Sequence, residues 1–159
     1  MNHFIDAPVA VAAAGRRRSL SRLLDGLDSA APLADLLVRV WLARAFWVSA
    51  LTKIQNWDST LYLFENEYAV PLLPPEIAAY LGTFVELCFP VLLVLGLGGR
   101  FAAFVLFLFN GIAVLSYPDL GAAGIEQHEV WGLMLLMVLL HGPGRLSLDH
   151  LILSRWPLR

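Results

Sequence analysis

Cysteine is nearly missing from this 159-residue chain, which has only Cys88. A lone thiol can form neither an internal disulfide nor a CxxC redox pair, so dithiol chemistry within the chain is excluded. A glycine-rich phosphate loop, a haem-attaching CxxCH and a nucleophile set beside a base are missing as well. Without them the chain does not read as an independent enzyme, although it could serve as a subunit of an oxidoreductase. Charge is sparse, at 15% of residues with a net charge of -2, and its placement suggests no nucleic-acid partner. Residues 56–76 and 118–129 contain no Lys or Arg at all.

Apolar surface fills the chain instead. Hydrophobic residues make up 58% of it, and a mean hydropathy of +0.69 is too high for an ordinary soluble domain. Three runs come close to the roughly 20 residues that a membrane-crossing helix needs. They are 36–55, 77–97, closed by Gly98 and Gly99, and 101–117, stopped by Pro118. The stretch Val130 to Leu140 is too short alone. Extended back to give 121–141, it becomes a fourth span that takes Glu126, His128 and Glu129 into one end.

Basic residues favour four spans over three. Arg16, Arg17, Arg18 and Arg22 precede the first run, Arg100 lies between the second and third, and Arg145 and Arg155 follow the fourth. The other two connections carry Asp58, Glu65, Glu67, Asp119 and Glu126. The positive-inside rule is then met at every connection. The expected fold is an all-α membrane protein, a four-transmembrane-helix antiparallel bundle with both termini cytoplasmic.

Residues 1–32 form a separate basic extension ahead of the membrane domain, 33–155. Asp25, Asp28 and Asp35 interrupt the sequence after its arginines, which argues against a signal peptide. An amphipathic surface helix over 19–27 and a disordered tail both fit this pattern. Trp57, Tyr62, Phe64 and Tyr68 suit a bilayer interface and suggest a short helix over 59–68. Pro74 and Pro75 mark the entry of the next helix.

Charges inside the apolar runs are the strongest functional clue, because an ion there must be paired, hydrated or functional. At about 1.5 Å of rise per residue, Arg44 lies about 16 Å and Glu86 about 14 Å from one end of their spans. An Arg44 to Glu86 ion pair is therefore expected as a structural link. Arg39 and Lys53 share a helix face, with Arg44 turned about 140° from Arg39. Both lie near span ends, where a long side chain can snorkel to water.

Around Lys53 stand Gln55, Asn56, Glu65 and Glu67, with His128 and Glu129 from the fourth span. Lys53, Glu86, His128 and Glu129 are accordingly the ligand-binding candidates, suited to a polar head group such as a quinone carbonyl or to proton relay. Glu126, His128 and Glu129 lack the i, i+4 interval of a helical metal site, and Met134, Met137 and His141 on one face read as packing. Asn110 is expected to hydrogen-bond to another helix. Pro90 should kink the second span and free the Glu86 carbonyl.

The segment RVWLARAFWVSALTKI, from Arg39 to Ile54, resembles the signature of DoxX-like membrane proteins. LFENEYAVPLLPP, VELCFPVLLVLGLGGRFAA and HGPGRLSLDHLI resemble the same family in the same order, and together these pieces cover residues 36–152. The resemblance implies recurring charges at Arg39, Lys53 and Glu86 and a terminal turn at Gly142, Pro143, Gly144, Ser147 and Asp149. Ala50 stands where the family usually has glycine. The resemblance further implies a four-helix bundle in the bacterial inner membrane, with relatives associated with thiosulfate:quinone oxidoreductase or with redox-stress and metal-handling systems.

Three functional readings follow. One is a membrane subunit or accessory protein of a quinone-linked redox system. Another is a membrane anchor that holds a redox or metal-handling partner, and the third is a small binder or transporter of hydrophobic solutes. Four short spans would need to dimerise to act as a carrier, so a homo-oligomer goes with the third.

Overall fold

Helix is the regular structure of the described residues, as expected of long apolar runs with few internal breakers. The computed structural model describes the backbone of residues 7–155 and the side chains of residues 24–155. Its elements are α1 (Ala7–Gln55), α2 (Trp57–Asn66), α3 (Pro75–Leu95), α4 (Gly99–Ser116), α5 (Gly121–His141) and α6 (Leu148–Arg155). Two units divide the chain, Met1–Ala34 and Asp35–Arg159. The backbone over 19–27 is helical as part of α1. The side chains of Arg16, Arg17, Arg18 and Arg22 lie outside the described residues.

Helices α3, α4 and α5 are long and apolar enough to cross a membrane. Residues 36–55 of α1 are also helical but carry Arg39, Arg44 and Lys53. Prolines and glycines set the helix limits. Pro75 occupies the first position of α3, where a missing N–H costs nothing, and Gly96 ends the helix in the left-handed region at φ 62°. In α2 the Asn56 side chain caps the first turn by accepting from Ser59 N at 3.3 Å. Pro90 lies buried within α3, where it cannot donate to the Glu86 carbonyl four residues earlier.

Within the second unit, α4 lies in close contact with both α3 and α5. Small residues permit this approach: Ala102 and Ala103 are fully buried, and a Cβ on Gly99 would strike the Pro143 ring. Residues 35–55 of α1 belong to the same unit. They reach the core through Leu42 and Phe46, which meet Leu93, Leu106, Leu135 and Val138. Phe46 also packs against Trp131 and Phe109, with ring centres 5.8 and 6.3 Å away.

Candidate functional site

Two polar centres lie on the same face of α1. The first surrounds Arg39, which is fully buried at 0% exposure rather than snorkelling to water as expected. Its Nη1 donates to the carbonyls of Leu93 at 3.1 Å and Val94 at 2.6 Å, and its Nη2 donates to the Leu146 carbonyl. Carbonyls near a helix C-terminus lack helical partners, so one guanidinium satisfies the end of α3 and the turn after α5 together.

The terminal turn completes this centre. Asp149 accepts from the backbone N–H groups of Gly98 and Gly99, both at 2.8 Å, and so caps the start of α4. Its own N–H donates to the Gly96 carbonyl at 3.0 Å. Ser147 Oγ donates to the Gly144 carbonyl at 2.6 Å and accepts from His150 N at 3.2 Å. Gly142 and Gly144 have φ of 99° and 77°, and a Cβ on Gly144 would collide with Asp35. Arg39, Gly142, Pro143, Gly144, Ser147 and Asp149 thus meet in one structural knot.

The second centre surrounds Lys53 and corrects the expected ion pair. Glu86, 4% exposed, is bound by Lys53 and not by Arg44. Lys53 Nζ lies 2.6 Å from Glu86 Oε2, 2.9 Å from Oε1 and 2.9 Å from Ser49 Oγ, while Ser49 donates to Oε1 at 3.0 Å. Side chains on a helix lean toward its N-terminus, so Lys53 reaches back past Ser49 to the buried carboxylate. Arg44, on the other side of α1, is exposed. Helical phase decides the partner where depth alone suggested another.

Beside this pair lies a cavity of about 370 Å³. Phe46 and Ser49 of α1, Phe64 of α2, Gly82 and Val85 of α3, Phe109 of α4 and Trp131 of α5 contribute to its walls. Lys53, Glu86 and His128 line it as well, bringing together three of the four candidate residues. Glu129, with Glu126, lies on the exposed side of α5 and is not among the lining residues. Asn110 makes the expected link between helices: its Nδ2 donates to the His128 carbonyl at 2.9 Å, and its Oδ1 lies 2.8 Å from His128 Nδ1.

Several further residues line the cavity without being expected there from the sequence. Tyr68 and Tyr117 stack edge to face at 5.0 Å. Burial first, then Tyr117, Glu67 and Glu86, hold the Tyr68 phenol above its ordinary range and keep it a neutral donor. Ser116 is 4% exposed, and its Oγ has no hydrogen-bond partner among the described residues. Ser49 could have been found, because it lies one helical turn before Lys53. Of the remaining polar residues, Cys88 is a free, half-buried thiol, Met137 is exposed, and His141 Nε2 lies 4.0 Å from Asp35.

A family model described as DoxX matches residues 34–118. An uncharacterized protein of Haemophilus influenzae is 32% identical over 143 residues, covering 84% of this chain and 91% of that protein. No solved structure matches the chain.

Proposed function

The chain belongs to the DoxX family, and from that premise we propose a multi-pass protein of the bacterial inner membrane that serves a quinone-linked redox system as a membrane subunit or accessory protein. Its family and its three long apolar helices make it a membrane protein. Residues 36–55 of α1 supply the fourth span in this proposal, with both termini cytoplasmic. Charge supports that orientation. Arg39, Arg100 and Arg145 gather toward the knot end, whereas the connections at the Lys53 end carry Asp58, Glu65, Glu67 and Asp119.

The observation that carries the redox reading is the cavity of about 370 Å³, lined mainly by apolar and aromatic side chains, with Lys53, Glu86 and His128 in its walls. A few polar groups in an apolar pocket of this size suit an amphipathic molecule such as a quinone. The chain purified from membranes should carry quinone, and extracts should contain less when Lys53→Ala or Glu86→Gln is introduced. Undiminished quinone in both variants would count against this reading.

One feature favours docking of a partner protein as a second role. Leu72 has φ 64° and is fully exposed in the loop between α2 and α3. A branched residue in that conformation costs on the order of 1–2 kcal/mol, a strain that a bound partner could offset. Replacement of residues 62–71, or Leu72→Gly, should release a co-purifying partner. A partner retained by both variants would remove this reading.

A further inference from the structure

The Lys53 centre is chemically complete. An ammonium has three N–H donors, and Lys53 has three acceptor oxygens in range: both carboxylate oxygens of Glu86 and Ser49 Oγ, at 2.6–2.9 Å. Among the described residues Lys53 and Glu86 are also the only carboxylate or ammonium groups in the cavity wall, so their charges cancel. An anionic head group would have to displace Glu86 from Lys53 and leave that carboxylate buried without its cation.

Unused hydrogen-bonding capacity lies elsewhere in the wall. Asn110 donates through Nδ2 to the His128 carbonyl, which turns its Oδ1 toward His128 Nδ1. In the neutral ring Nδ1 then carries the proton, and Nε2 remains an acceptor. Ser116 Oγ is buried without a hydrogen-bond partner among the described residues. We infer that the Lys53–Glu86 pair is a charge filter, making the cavity selective for neutral amphiphiles with a hydroxyl or carbonyl head and closing it to fatty-acid-like anions. This rests on the cavity being a ligand site, as in the proposed function, and adds its selectivity.

Oleyl alcohol and oleate carry the same chain on a neutral and an anionic head, so they separate the two questions. The full chain in detergent is offered both in equal amounts, at a pH where oleate is ionised, and bound species are counted by native mass spectrometry. The wild type should take the alcohol over oleate by about tenfold or more. Glu86→Gln frees Lys53 and should raise oleate uptake by about tenfold. Ser116→Ala should weaken alcohol uptake roughly three- to tenfold without admitting oleate.

A wild type that takes both probes equally overturns the filter and leaves the cavity reading intact. If it takes neither, the cavity reading falls and the filter with it. A folded Glu86→Gln that gains no oleate also overturns the filter. Should that variant fail to fold, Glu86→Asn frees Lys53 with a shorter neutral amide. A folded Glu86→Asn should likewise gain oleate, and one that gains none overturns the proposal.

Discussion

Arg39 and Lys53 stand on one face of one helix and are both withdrawn from water, yet they are held in opposite ways. Arg39 is held by backbone carbonyls of Leu93, Val94 and Leu146. Lys53 is held by the side chains of Glu86 and Ser49 beside a cavity. A cation bound by the main chain belongs to the fold, and no second side-chain substitution can compensate for its loss. A cation bound by a carboxylate can be neutralised together with its partner or redirected to another anion. The Arg39 centre is therefore expected to govern stability, and the Lys53 centre selectivity.

Thermal or denaturant unfolding in detergent can break that contrast. Arg39→Met should have the largest effect, about 3–5 kcal/mol, because it leaves buried carbonyls unpaired. Arg39→Lys should recover little, since an ammonium lacks the planar fork of donors. Glu86→Ala should cost about 2–4 kcal/mol by leaving Lys53 without its counter-charge. Adding Lys53→Met to Glu86→Leu should restore most of that loss, and a double variant as unstable as Glu86→Ala alone would erase the distinction between the two centres.

Smaller effects sharpen the same comparison. Asp149→Ala removes the cap of α4 and should cost about 1–2 kcal/mol, with Asp149→Asn nearer the wild type. Oleyl alcohol uptake should be unchanged in the folded fraction of either variant. Arg44→Ala should stay within about 0.5 kcal/mol of the wild type. A loss comparable to that of Glu86→Ala would reinstate Arg44 as the partner of Glu86.

The sequence made the helices legible because their limits are chemical: Pro75 opens α3, Gly96 and Gly99 bracket a tight turn, and Asn56 caps α2. Asn110 was equally legible, since an amide in an apolar run needs a partner and finds one in His128. The role of Arg39 was hidden for a physical reason. Its acceptors are main-chain carbonyls, which every residue has and no residue type announces. Arg44 misleads because its depth along the span matches that of Glu86 while its direction around the helix does not. Once Arg39 and Lys53 face the core, Arg44 must face away. Ser116 and Tyr117 entered the cavity only through the way α1, α4 and the loop before α3 come together.

The knot around Arg39 also sets an order of events during synthesis. It joins residues 39, 93–96 and 146–149, and so ties α1 to the turns that follow α3 and α5. Until the ribosome has released residue 149, the arginine lacks its Leu146 acceptor and α4 lacks its cap. A chain that stops after α5 would hold every apolar helix and yet expose an unsettled cation to the surveillance proteases of the cell. The turn over 142–149 thus acts as a late latch, reaching Arg39 and the start of α4 only after α5 has been made.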